Sequence, residues 1–381
     1  MQLIKTILVV TINMLVFSSS VNAAANLNNH VSSVRSAGVS LKLEQVAKGL
    51  SIPWGLVFIS PSELLITERK GNVLLLNLKK SKITTLENVP EVLVDGQGGM
   101  LDVALPPDYR VSKWIYFTYV KKVEDQGATT LARARLDKNT LVQWQELLVT
   151  KSMTSTGYHF GSRITFDASG HVYFGIGDRG ERANSQELTN HAGTIIRLNL
   201  DGSVPADNPY VKSKTALPEI WSYGHRNPQG LSYDYKNKYL WEIEHGPRGG
   251  DEINLILPAK NYGWPVISYG KEYWGPVSVG EGTHRKGMQQ PTKVYIPSIA
   301  PGSLIVYSGD AFPGWKGNLF AGALKLRHIN RIAINSKGEA FDEERLFNSL
   351  EQRVRALAQS PEGWIYFSTD SGNIYRLRPD I

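Results

Sequence analysis

The segment SRITFDASGHVYFGIGD, residues 162–178, decides how this chain is built. A short apolar strand reaches Phe166, a turn follows through Asp167 and Gly170, and a second apolar-aromatic strand ends before Asp178. The same unit precedes it as PWGLVFISPSELLITERKGNVLLLNL (53–78) and LDVALPPDYRVSKWIYFTYV (101–120). It follows as GLSYDYKNKYLWEIE (230–244), SLIVYSGDAFPGWKGNLFAGAL (303–324) and RALAQSPEGWIYFSTDSGNIYRL (355–377). Copies begin at intervals of roughly fifty to seventy residues, the span of a four-stranded blade with long loops. Six copies predict an all-β chain folded as a six-bladed β-propeller over residues 41–381. A β-sandwich would need fewer, less self-similar hairpins.

Composition agrees. Thirty-five glycines and nineteen prolines supply tight turns, and long helices are hard to place. Residues 1–23 carry one basic residue, Lys5, then a short apolar run and a small-residue exit at Ala23, the pattern of a cleavable secretory signal. The mature protein is therefore expected in the periplasm or secreted, with no stable membrane insertion. Residues 24–40 read as a flexible N-terminus. Cysteine is absent, so the fold relies on packing, and thiolate chemistry and iron–sulfur centres are excluded. The net charge of +7 is scattered, which argues against a nucleic-acid groove.

Two inserts interrupt the rhythm, at 179–208 and 262–301. Long propeller loops gather at one mouth of the central channel, where ligands sit. Near these inserts lie the histidine and arginine motifs. His159, between Tyr158 and Phe160, reads either as a hydrogen-bonded core residue or as a base for a hydroxyl proton. His225 has the same ambiguity and reads as structural. Arg226 and Asn227 either cap a turn or offer donors to a developing oxyanion. Gln97 sits in a glycine-flanked turn that either leaves its amide exposed for binding or is a simple hairpin turn. In EHGPRGGDE (244–252), carboxylates and free carbonyls are hard oxygen donors of the kind calcium prefers, or a turn salt-bridged through Arg248. Lys325 with Arg327, and Arg353 with Arg355, are pairs spaced two apart. On a strand each pair faces one way, toward a bound polyanion or toward solvent.

Taken in order, IPWG (52–55), GQGGMLDV (96–103), HFGSR (159–163), GDRG (177–180), LNLDGSVPADNP (198–209), IWSYGHRNPQG (220–230), EHGPRGGDEIN (244–254), NYGWP (261–265) and GALK (322–325) resemble the soluble quinoprotein sugar dehydrogenases, the glucose/sorbosone dehydrogenase family. The resemblance runs from about Leu41 to the C-terminus and implies a six-bladed propeller binding pyrroloquinoline quinone and calcium. It implies that His159 removes the proton from a sugar's anomeric hydroxyl while the anomeric hydrogen leaves as hydride to the quinone, giving a lactone. Arg226, with calcium, would polarise the accepting carbonyl. Asn227, Lys325, Arg353 and Arg355 would hold the cofactor's carboxylates, and Gln97 the sugar or quinone edge. One calcium, at the quinone, would take the carbonyls of Gly246 and Pro247. A second, structural one would take the Glu252 side chain and the Tyr262 carbonyl. The glucose-specialised members place an acidic residue before the histidine; here it is Tyr158, so the resemblance leaves the aldose open. The downstream electron acceptor is not named by the sequence. Two other functions fit a propeller: a calcium-dependent lactonase, which would need side-chain carboxylates around a central metal, and a binding module, which would have lost the base and the arginine.

Overall fold

A computed structural model describes residues 24–380. Six sheets form a closed ring whose innermost strands are Pro53–Ser60, Met100–Ala104, Ile164–Phe166, Pro228–Asp234, Pro301–Val306 and Val354–Gln359. Each innermost strand touches the next, and the sixth returns to the first. The expected six-bladed propeller is therefore the observed fold. Every repeat read in the sequence contains the inner hairpin of one blade, and the first and sixth run on into its third strand, because these are the most buried strands. In the third, His171–Ile176 is buried from Val172 onward and pairs with both neighbours.

The outer strands were harder to see. The insert at 179–208 contains the third strand of blade three, Thr194–Asn199, and the insert at 262–301 contains the outer strand Lys293–Tyr295. Both follow long polar loops that break the repeat. Aromatic clusters fill the space between blades; one joins Tyr307, Phe312, Trp315 and Phe320 with Leu43 and Leu377.

The ring is closed by the chain's two ends. Strand Val39–Lys48 pairs antiparallel with Ile374–Pro379 in the sixth blade. Residues 24–40, expected as a flexible arm, are corrected by the structure: Ala24–Ser36 is a strand pairing along the outside of Val39–Lys48. Backbone bonding along an open sheet edge holds it, a signal that side-chain periodicity does not carry. The expected signal peptide lies outside the described residues. Among the described residues no helix is long and apolar enough to cross a membrane.

Glu44 pins this closure. Its buried carboxylate accepts hydrogen bonds from Arg376 Nε at 2.8 Å and from Arg378 Nη2 at 3.0 Å. Burial pushes the carboxyl up, but Arg378 and Arg376 outweigh it and hold it below the ordinary range. A lowered acid stabilises the fold above its unfolded pKa, and that contribution is lost as pH falls through the folded one. Glu44→Gln should cost about 2 kcal/mol at neutral pH. Urea denaturation should show the difference from wild type shrinking as the solution is acidified.

Candidate active site

Backbone strain and glycine packing place His159. It has φ +54°, in the left-handed region that disfavours side-chain-bearing residues, and Gly161 and Ser162 follow at +66° and +97°. Gly177 makes the turn possible, since a Cβ there would lie 2.4 Å from the His159 carbonyl oxygen. A Cβ on Gly161 would lie equally close to the Gly175 carbonyl oxygen. The glycines around the histidine thus let two loops of blade three approach closely.

His159 is held on two sides. Its backbone N–H donates to Gln97 Oε1 at 3.0 Å, and its Nδ1 lies 2.6 Å from Asp178 Oδ1. Asp178 is buried and also accepts from Gly180 N at 2.8 Å and from Trp264 Nε1 at 2.8 Å. Burial alone would raise its carboxyl; the His159 bond and charge, the Gly180 amide and Arg226 hold it below the ordinary range. An ionised Asp178 can only accept, so the neutral imidazole carries its proton on Nδ1 and presents Nε2 as a base. The histidine side chain keeps 15% exposure, which leaves that nitrogen reachable.

Arg226 and Asn227 leave the end of blade three on a turn organised from below. Glu244 Oε2 accepts from the backbone N–H of Arg226 at 2.5 Å and of Asn227 at 3.1 Å. The Arg226 guanidinium lies over the Trp264 ring at 5.2 Å, and Nη1 donates to the His245 carbonyl at 3.1 Å. His245 Nε2 lies 2.6 Å from the Pro301 carbonyl, so it donates. Loss of solvent pushes this imidazole down to about 3, so it is neutral.

Two cavities meet at His245. The larger, about 270 Å³, is lined by Gln97, Asn227, Arg69, Arg353 and Arg355, with Asp370 the one acid. Arg355 donates twice to Asp370, at 2.8 and 3.0 Å, and Arg353 once at 2.9 Å. Arg353 Nη2 and Arg355 Nη1 have no partner among the described residues. Lys325 lines neither cavity: it is exposed in a bend after strand Leu319–Ala323, so its pairing with Arg327 on a strand does not occur.

The smaller cavity, about 20 Å³, brings together Gly246, Pro247, Glu252 and Tyr262, beside Arg226 and Trp264. Its volume suits one ion or water. Burial, with repulsion from Glu244, pushes the Glu252 carboxyl well above its ordinary range. No lysine or arginine pairs with that carboxylate among the described residues. A desolvated carboxylate beside free carbonyls is an all-oxygen donor set that fits calcium.

Asp178, Glu244, His245, Trp264 and Asp370 were not singled out from the sequence. Asp178 had a usable signal: it ends an inner strand in GDRG, as His159 opens one in HFGSR. The others act through register or burial, which the sequence does not display. The inserts do meet at the mouth, where Arg182 donates to both oxygens of Glu272 at 2.6 and 2.8 Å. Tyr158 is 57% exposed beside His159.

Fold and site define a six-bladed propeller with a carboxylate-held histidine and an arginine beside an arginine-lined channel mouth. The Glucose / Sorbosone dehydrogenase family model matches residues 50–376, and the chain belongs to that family. It is 35% identical over 355 residues to aldose sugar dehydrogenase YliI of Escherichia coli, covering 91% of this chain and 95% of the relative. It is 27% identical to quinoprotein glucose dehydrogenase B of Acinetobacter calcoaceticus, over 87% of this chain and 86% of that one. The crystal structure of the apo-form of the E. coli soluble aldose sugar dehydrogenase superposes with TM-score 0.85 at 34% identity, covering 89% of this chain and 99% of that one. The structure of the PQQ-bound form of aldose sugar dehydrogenase from Streptomyces coelicolor superposes with TM-score 0.74 at 25% identity, covering 91% and 99%. The chain is thus an oxidoreductase of the sugar dehydrogenase type.

Proposed function

We propose that the protein oxidises aldoses at the anomeric carbon to lactones, with pyrroloquinoline quinone as cofactor and calcium beside it. One observation carries this reading: His159, paired with Asp178, is bonded to Gln97, and Arg226 to His245, and both partners line a cavity walled by three arginines against one aspartate. The wall suits a flat polyanion, since planar guanidinium groups bind carboxylates in pairs. When bound, the quinone supplies the two-electron acceptor for the anomeric hydrogen.

The chain's own residues do the rest. His159 Nε2 takes the proton of the anomeric hydroxyl, and Asp178 steadies the imidazolium that forms. Arg226 keeps a cationic donor where negative charge grows. Arg353, Arg355 and Asn227 would hold the cofactor's carboxylates, Lys325 standing outside both cavities, and Gln97, its oxygen taken by His159, has its amide nitrogen for the sugar or quinone edge. Gly246, Pro247, Glu252 and Tyr262, read from the sequence as two calcium sites, line one small cavity, which would hold a single calcium. Tyr158 offers an aromatic face and one hydroxyl where a charged acceptor would favour glucose, which broadens the aldose range. The leader-like pattern of residues 1–23 supports a reaction outside the cytoplasm.

The test is reconstitution. Cofactor-free protein is mixed with the quinone, with and without calcium, and dye reduction is followed over an aldose panel. Turnover requiring both additions is expected, and Arg353→Ala should raise the quinone concentration needed by about tenfold, the loss of a charge-assisted contact. Hydrolysis of sugar lactones without quinone would overturn the reading in favour of a lactonase. Absence of quinone binding would do the same.

A further inference from the structure

Beneath the Arg226 turn lies a buried cluster that the proposed chemistry does not use. Strand Tyr239–Glu244 places Glu242 and Glu244 two residues apart, on one face of blade four. Asn254 on the neighbouring strand stands opposite Glu242 in register, and His225 reaches the cluster from the end of blade three. Ligand-type atoms of His225, Glu242 and Glu244 all lie within 4.8 Å of one another. Relative exposures are 0%, 0% and 4%, and Asn254 is also at 0%.

The hydrogen bonds here do not close. Glu244 Oε2 is occupied by the Arg226 and Asn227 amides, while Oε1 faces His225 Nδ1 at 3.3 Å. Asn254 Nδ2 donates to Glu242 Oε2 at 3.0 Å and lies 3.4 Å from Glu244 Oε1. Glu242 Oε1 and Asn254 Oδ1, both fully enclosed, have no partner among the described residues. No lysine or arginine pairs with Glu242 among the described residues. Two buried carboxylates are therefore set against one imidazole, with two idle oxygens beside them. Buried polar atoms of this kind are rare unless something fills the gap.

We infer that this cluster is a site for a transition-type divalent cation, Mn²⁺ or Zn²⁺, ligated by His225 Nδ1, Glu242, Glu244 and the Asn254 amide oxygen. Ser222 Oγ lies 2.9 Å from His225 Nε2; with that nitrogen protonated and donating to the hydroxyl, Nδ1 would be free as the ligand, the usual outer-shell arrangement of a metal-bound histidine. A half-turn of the Asn254 amide brings Oδ1 to the place where Nδ2 now bridges the two glutamates. The cluster shares Glu244 with the cavity at Gly246 and Pro247, but its nitrogen donor among carboxylates selects against calcium. Because Glu244 also holds the backbone of Arg226 and Asn227, the cation would fix the turn that carries both.

The site is tested with MnCl₂ and ZnCl₂ added to chelator-treated protein kept saturated with calcium. Wild type should bind one of them by calorimetry and melt at a higher temperature with it, and a crystal should show anomalous scattering within the cluster. Glu242→Gln should lose that binding and the melting shift. Asn254→Asp, which adds a charged oxygen in the same shape, should bind more tightly, and so keeps the test valid if the glutamine variant folds poorly. Absence of binding by either metal, binding unchanged in Glu242→Gln, or displacement by calcium would each overturn the site. So would a protonated-carboxyl infrared band in metal-free protein that vanishes in Glu242→Gln, because a proton would then fill the gap.

Discussion

His159→Gln lowers turnover by about a hundredfold or more while leaving quinone affinity close to wild type, on the scale of general-base removal. Glutamine retains the backbone N–H that donates to Gln97 and fills a similar volume, so the loop stays in place. What disappears is the ring nitrogen that Asp178 orients through the 2.6 Å contact at Nδ1. Asp178→Asn separates this role from packing. An asparagine keeps the shape but can donate to Nδ1, which moves the imidazole proton to Nε2 and hides the base. Its loss should approach that of His159→Gln, and the double variant should lose little more, since the two act as a unit. Single-turnover rates with titrated quinone check this directly. Weakened quinone binding with unchanged turnover per bound quinone would make His159 a cofactor-positioning residue.

The division between what was legible and what was hidden follows from where the information lies. Inner hairpins such as 162–178 are apolar on both faces and bounded by turns, so the six blades could be counted from the sequence. Strand Ala24–Ser36 could not be read, because it pairs through its backbone along an edge. For the site, motif order located His159, Gln97 and Arg226, but not the forces acting on them. Asp178 lies nineteen residues from His159 and reaches it because Gly177 admits the backbone. Glu244 organises the arginine turn from the end of a strand whose pattern looks like ordinary core. Arg353 and Arg355 were read as a bare cationic pair, whereas Asp370 takes three of their N–H groups. The spacing of like charges shows in a sequence; the partner that offsets them does not.

Arg163→Met should destabilise the whole propeller by about 3–5 kcal/mol, the cost of breaking a buried ion pair from one side. This arginine, one residue before the inner strand of blade three, points to the channel axis. Its Nη1 donates to Asp102 of blade two at 2.7 Å, and Nη2 donates to the carbonyl of Gly302 in blade five at 2.8 Å. Nη2 also donates to the carbonyl of Arg355 in blade six at 3.0 Å, and Nε to that of Gln229 in blade four at 3.2 Å. The guanidinium stands 4.0 Å from the ring centre of Trp54 in blade one. One side chain therefore touches every other blade. Trp54, Gln229 and Arg355 line the large cavity, while Arg163 and Asp102 line another cavity farther along the channel. The guanidinium thus separates the two cavities. Methionine keeps much of the volume but leaves Asp102 Oδ1 and three carbonyls without the guanidinium's donors, Asp102 keeping the Ile164 amide. Asp102→Asn in the methionine background should recover part of the loss, because it removes the unpaired charge. Chemical denaturation at neutral pH measures both steps. A cost below about 1 kcal/mol for Arg163→Met, the range of a surface ion pair, would mean that water enters the channel and replaces the guanidinium.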